Sequence, residues 1–235
     1  MEYQEVINAL HKLANQENVA FKKRKFGIAA NNSLGIYQKD LKELANKIGT
    51  DSVLASRLFD SGIYEARILA SKIFNPKELT NDLLEKWVVT FENWEICDSF
   101  CMGLFAKSEF AIPKIIEWSE RENEFEKRAA FAIMAAYCMA DKKAANSVFE
   151  NFFPIINREA NDDRLYVRKA VNWALRNIGK RNVDLHKKAL KTASQLVKMN
   201  TKCTKWIGSN AISQLTKQKV NILDYPRAIY RIENQ

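Results

Sequence analysis

The sequence predicts an all-α protein, and both its composition and its hydrophobic periodicity indicate this class. The 235 residues include only seven glycines and four prolines, which are few for a turn-rich β protein. Apolar residues instead recur with the 3.6-residue period of amphipathic helices, among many good helix formers such as Ala, Leu, Lys and Glu. With 47% hydrophobic residues the chain can bury a large core, and we expect a single domain over residues 1–235.

Short breaks separate the periodic segments, and pairs of segments recur at roughly 35–45 residues, the spacing of HEAT-like repeats. The predicted architecture is therefore an α-solenoid of HEAT-like helix pairs, an α-α superhelix. The predicted helices lie near residues 2–16, 34–48, 51–60, 64–74, 78–90, 93–106, 111–120, 123–139, 142–157, 163–179, 182–198, 200–217 and 223–232.

Capping residues support several of these boundaries. Asp, Asn and Thr side chains can accept hydrogen bonds from the first turn of a helix, and glycine readily ends one. The predicted N-caps are Asp51, Thr80, Asn93, Asp141 and Asp163, and the predicted stops are Gly49, Gly62 and Gly179.

Residues 18–33 interrupt this periodicity. The segment joins the basic cluster Lys22–Lys25 to a stretch rich in Gly and Asn. It is therefore predicted to be irregular, as either a functional or a poorly ordered connection.

The positive charge is concentrated near the carboxyl terminus. Residues 164–235 carry 16 Lys and Arg against three acids, a net charge of +13, whereas residues 1–163 carry a net charge of −4. This asymmetry favours a nucleic acid or another anionic surface as the partner. A solvated basic face that serves solubility is the alternative.

Several classes of function are disfavoured by what the sequence contains. The opening Met1-Glu-Tyr-Gln-Glu-Val does not resemble a signal peptide, no run of about 18 apolar residues is present, and four cysteines form no CxxC pair. The chain has only two histidines and contains no P-loop, GxGxxG or HExxH motif. These features argue against a metal, a nucleotide cofactor or a His-dependent nucleophile. We expect a cytoplasmic protein without cofactor, metal or membrane span.

The segment 164–182 is the most informative part of the chain. At 100° per residue, Lys169, Trp173, Arg176 and Lys180 fall on a side of the predicted helix away from its core stripe. An indole among cations suits a polyanion with flat groups, although a Trp packed at a helix contact is equally consistent. The core stripe consists of Val167, Ala170, Val171, Ala174, Leu175 and Ile178.

Two further groups of residues could carry chemistry. Trp94 and Asp98 share a helix face at i and i+4, and a carboxylate beside an aromatic ring is costly to bury unless it is hydrogen-bonded or functional. Asp98 could instead cap a neighbouring helix or pair with an Arg. Arg128 lies on a small-residue surface that a phosphate could approach, although a salt bridge to Glu124 is the alternative.

Three motifs together resemble the DNA alkylation repair family of AlkD-like glycosylases. They are Trp94-x-x-x-Asp98, Lys127-Arg128-Ala-Ala, and the specific run Val167-Arg-Lys-Ala-Val-Asn-Trp-Ala-Leu-Arg-Asn-Ile-Gly-Lys-Arg-Asn182. The resemblance extends from about Leu34 to Trp206. It departs before Leu34, where family members carry a DNA-gripping helix that Lys22–Gly27 does not clearly match.

The resemblance implies a concave basic face for duplex DNA and excision of N3- and N7-alkylated purines without base flipping. It places Asp98, Trp94 and Trp173 at the lesion-bearing nucleotide and Arg128 and Arg176 on the DNA backbone. Lys169 and Lys180 are expected to hold phosphates beside them.

The expected enzyme is a monofunctional DNA N-glycosylase, a monomer that leaves an abasic site without nicking the strand. Two alternatives stay open. The chain could be a non-catalytic DNA- or RNA-binding protein of the same family, or a protein-interaction scaffold, for which HEAT-like repeats are commonly used.

Overall fold

The computed structural model describes residues 1–199 and 201–216, and within these residues it contains helices and no strand. Two short 3-10 helices, Pro76–Glu78 and Phe105–Lys107, accompany the α-helices. The α-helices are α1 (Tyr3–Lys12), α2 (Gln16–Phe26), α3 (Gln38–Ile48), α4 (Ser52–Asp60), α5 (Tyr64–Ile73), α6 (Asn81–Val88), α7 (Trp94–Gly103), α8 (Ala111–Trp118), α9 (Glu124–Ala140), α10 (Asn146–Glu150), α11 (Phe152–Glu159), α12 (Leu165–Gly179), α13 (Val183–Lys198) and α14 (Lys202–Thr216). The all-α prediction is therefore confirmed. The predicted helix 223–232 lies outside the described residues.

Contacts cluster within two compact units, Met1–Glu109 and a second unit that begins at Phe110. A single domain over residues 1–235 stays a prediction. In the first unit, α5 packs against α3, α4 and α7. Trp87 and Phe100, both fully buried, anchor an aromatic core with ring centroids 5.3 Å apart.

In the second unit, α12 packs against α9, α13 and α14. The predicted core stripe of α12 is confirmed, because each of its six residues is fully buried. Two amides join α12 to its neighbours: Asn172 Nδ2 donates to the carbonyl of Ile207 in α14, and Asn177 Nδ2 donates to the carbonyl of Ala135 in α9, both at 3.0 Å.

Asp51, Thr80 and Asn93 cap their helices as predicted. The prediction for Asp141 is wrong, because the next helix, α10, begins at Asn146 with Ala145 at its N-cap position. The Asp141 carboxylate instead accepts hydrogen bonds from the Lys143 and Ala144 amides in the turn after α9. Asp163 is not an N-cap either, since Arg164 occupies that position of α12.

The predicted glycine stops differ in their physical basis. Gly49 ends α3 with φ of +79°, and Gly62 follows α4 with φ of +73°, conformations that favour glycine. Gly179 is the last residue of α12. A Cβ there would lie 2.8 Å from the Cβ of Ala189, so close packing explains this glycine.

The single helix predicted over 142–157 is wrong, since α10 ends at Glu150 and α11 begins at Phe152. Pro154 explains the restart, because a proline has no amide to donate and is tolerated only in the first turn of a helix. It is the third residue of α11.

The irregular conformation predicted for residues 18–33 is wrong for residues 18–26, which belong to α2. Asn15 caps this helix by accepting from the amide of Asn18 at 3.1 Å, and Gly27 ends it with φ of +66°. The helix escaped sequence analysis because its buried residue is Lys22, which is 3% exposed, rather than an apolar side chain. Residues 27–33 are non-helical, as expected. Residues 34–37, predicted to begin a helix, are also non-helical, since α3 begins at Gln38.

Candidate nucleic-acid interface

Trp94 and Asp98 lie in the first two turns of α7, as the i, i+4 spacing predicts. Asn93 fixes the start of this helix, because its side-chain oxygen accepts from the amides of Glu95 and Ile96. Both predicted site residues are half-buried and line one cavity of about 580 Å³. The other lining residues are Gln38, Lys42, Lys72, Glu95, Ser99, Met102 and Gly103.

The indole of Trp94 is held in place by α2. Its Nε1 donates to the carbonyl oxygen of Phe26 at 2.9 Å. The last turn of α2 also carries Lys23, Arg24 and Lys25. The segment that sequence analysis could not align therefore fixes the orientation of a candidate site residue.

A buried polar cluster, made of Lys22, Tyr64, Asn93 and Glu95, lies beneath this part of α7. Lys22 Nζ is 2.8 Å from Glu95 Oε2, and the hydroxyl of Tyr64 lies 3.1 Å from the same oxygen and 2.9 Å from Asn93 Oδ1. Burial, together with the charge of Glu95, raises the pKa of Tyr64 far above its usual value, so the phenol stays protonated. Sequence analysis missed this cluster, because its members come from three distant parts of the chain.

Lys42 and Lys72 bring positive charge to the cavity that Asp98 lines. Burial lowers the pKa of the Lys72 ammonium; Glu95 opposes this effect, whereas Lys42 and Lys107 add to it. Sequence analysis missed both lysines, because each lies on a helix with no other sign of a site. Cations beside a carboxylate and an indole can hold a phosphate close to a positively charged ring.

Arg128, in the second unit, is 6% exposed and donates Nη1 to the carbonyl of Tyr166 at 2.7 Å. The amide of Tyr166 in turn donates to Glu124 Oε1 at 3.1 Å. Glu124 and Arg128 of α9 thus both hold the first turn of α12. A phosphate contact by Arg128 stays a prediction.

Lys169, Trp173, Arg176 and Lys180 lie on α12 or directly after it, beside the buried stripe. Lys169 is exposed and the other three are half-buried. Within residues 1–199 and 201–216, Arg176 and Lys180 have no ion-pair partner, and Arg176 Nε is buried without a hydrogen bond. Burial lowers the pKa of both groups, and Arg176 lowers that of Lys180 further. Two cations one turn apart without a carboxylate favour an anionic ligand.

Comparison with solved structures defines the class of this fold. The chain superposes with a TM-score of 0.71 on a member of a new family of proteins related to the HEAT-like repeat DNA glycosylases with affinity for branched DNA structures. The two chains are 20% identical, and the match covers 83% of each. The protein therefore has the predicted HEAT-like repeat fold.

The particular family follows from the sequence match. The model of the DNA alkylation repair enzyme family matches residues 6–215, so the chain belongs to this family. The uncharacterized protein Lin0241 of Listeria innocua is 24% identical over 169 residues, which are 71% of this chain and 73% of that protein. The family resemblance drawn from the three motifs is thus confirmed, and a role in DNA repair or DNA binding follows from membership.

In the described part of the chain, no helix is long and apolar enough to cross a membrane. The same residues contain no cluster of three or more His, Cys, Asp or Glu side chains that could hold a metal ion. The cytoplasmic location and the monomeric state stay predictions.

Proposed function

We propose that the protein is a monofunctional DNA glycosylase that removes cationic N3- or N7-alkylated purines from duplex DNA without flipping the base. The observation that carries this proposal is the shared cavity of Trp94 and Asp98, with Lys42 and Lys72 at its wall. An indole, a carboxylate and two ammonium groups match a cationic base, a developing sugar cation and a phosphate, respectively.

In this mechanism the bond from C1′ of the sugar to the purine nitrogen breaks first. The bonding electrons move to the purine, which leaves as a neutral base because the alkylated ring was cationic. The Asp98 carboxylate stabilises the positive charge on the sugar and takes a proton from the water that attacks C1′. Trp94 contributes its ring face, held by the hydrogen bond to Phe26.

Phosphate binding is assigned to α12. Arg176 and Lys180 lack a carboxylate partner among the described residues, and Lys169 is exposed nearby. Trp173, half-buried on the same helix, would pack on the sugar of the damaged nucleotide. Arg128 would support this surface, either through a phosphate or through its bond to Tyr166. Binding of duplex DNA along a concave basic face of the helix pairs is part of the same proposal.

The test is a duplex with a single N7-methylguanine, incubated with the protein and then heated in alkali to cleave any abasic site. We expect cleavage at the lesion with the wild-type protein and its loss with Asp98→Asn, while duplex affinity stays within about threefold. The matched control is Asp82→Asn, which neutralises an exposed carboxylate in the first turn of α6. Excision by Asp98→Asn at the wild-type rate contradicts the catalytic assignment.

A second candidate is a non-catalytic DNA-binding protein. The affinity for branched DNA structures of the solved relative favours this candidate. It predicts no base release from the methylated duplex, together with tighter binding of a four-way junction than of a duplex of equal length. Competition between these two DNAs in a gel-shift assay distinguishes it from the glycosylase.

A further inference from the structure

A second pair of aromatic and cationic side chains lies where α14 meets α12. The guanidinium carbon of Arg168 is 4.7 Å from the ring centroid of Trp206, so the cation covers one face of the indole. Asn172, one turn after Arg168, binds the carbonyl of Ile207 and thereby holds α14 against α12 at this point. The pair is therefore set by the packing of the two helices.

Neither member of this pair is satisfied by its protein neighbours. Trp206 is 36% exposed, a high value for a tryptophan in a packed helix pair. Arg168 has no ion-pair partner in residues 1–199 and 201–216, and its Nε is buried without a hydrogen bond. A cation without an anion and an indole with open surface are complementary to a phosphate and a planar ring.

The charges around the pair favour the same ligand. Lys202 lies one turn before Trp206 on α14, and Lys205 directly precedes Trp206; both are exposed. The nearby carboxylate of Asp162 is already bound by Arg164 Nε at 2.9 Å and lies 3.6 Å from Lys127 Nζ. The exposed Asp163 is the remaining acid close to Cys203, so lysine and arginine outnumber available carboxylates here.

We propose that Trp206 and Arg168 form a stacking site for an unpaired base of a nucleic-acid strand, with Arg168 on its phosphate. Stacking on an indole with adjacent cations is a general mode of single-strand recognition. The site uses residues other than Trp94 and Asp98 and does not require glycosylase activity. Arg168 precedes Arg176 by eight residues of α12, about 12 Å along the axis, or roughly three to four nucleotides of a duplex strand.

The experiment compares a blunt duplex with the same duplex carrying a three-nucleotide dT overhang. We expect the wild-type protein to bind the overhang form at least about fivefold more tightly, as one stacked base provides. Trp206→Ala should abolish this gain and leave blunt-duplex affinity unchanged, whereas Trp206→Phe should keep part of it. Arg168→Gln should reduce the gain and lower the salt dependence of overhang binding by about 0.7 in slope.

Two control variants in the same unit alter exposed side chains of similar kind: Met139→Ala for the apolar surface and Lys191→Gln for the charge. Both should retain the gain from the overhang. The proposal is overturned if the wild-type protein shows no gain, or if Trp206→Ala retains it. If Trp206→Ala retains the gain but has a lower melting temperature than the wild-type protein, the pair has a purely structural role. Excision from the blunt methylated duplex is scored separately, so failure of the glycosylase proposal leaves this test intact.

Discussion

The buried pair of Lys22 and Glu95 provides a stability prediction that the structure makes quantitative. The ammonium and the carboxylate are 2.8 Å apart, with side chains 4% and 9% exposed. Replacing Lys22 with Met leaves a buried carboxylate without its cation, which typically costs about 3–5 kcal/mol. In this variant Glu95 would still accept hydrogen bonds from the hydroxyl of Tyr64 and, at 3.4 Å, from the side-chain amide of Gln38. We therefore expect a loss of stability at the lower end of this range, about 3 kcal/mol.

Urea unfolding followed by circular dichroism measures this loss. The matched control is Lys39→Met, which removes an exposed lysine 4.0 Å from Glu43 and should cost less than about 1 kcal/mol. Because the penalty arises from the unpaired charge, Lys22→Met combined with Glu95→Gln should recover most of the lost stability. A cost for Lys22→Met no greater than that of the control, or a double variant no more stable than the single one, would refute the reasoning.

Three further predictions concern charge, pH and backbone geometry. Arg176→Glu should weaken duplex binding and reduce the slope of log affinity against log salt by at least about 0.9, because at least one phosphate contact is lost; titrations at several salt concentrations measure this. Burial lowers the pKa of His186, although the hydrogen bond to the carbonyl of Gly179 acts to raise it. Below about pH 6.5 the unfolded chain therefore takes up a proton more readily than the folded one. The free energy of unfolding should therefore fall from pH 7 to pH 5.5 through this group, and His186→Gln should show a smaller fall; an equal fall would exclude His186 as its source. Gly35→Ala should destabilise the protein by at least about 1 kcal/mol in the same unfolding assay, since φ is +74° and the new Cβ would lie 2.1 Å from the carbonyl of Asn15; unchanged stability would contradict this.

Local patterns were sufficient to predict most of the helices and part of the candidate site. The core stripe of α12 follows from the 3.6-residue period alone, and its six residues are all buried. The placement of Trp94 and Asp98 on one helix face followed from their i, i+4 spacing. These features depend on residues within a few turns of one another, which is the range over which a sequence pattern can be interpreted.

The remaining features were decided by tertiary packing, because they depend on residues distant in the chain. Lys22 is buried because its ammonium meets Glu95, a partner 73 positions away that the basic run does not reveal. Lys72 joins Asp98 in one cavity, and Arg168 meets Trp206, only once the helices pack. The sequence by itself thus determined the helical class, the family motifs and the α12 surface, whereas long-range contacts decided which polar groups were buried, paired or left for a ligand.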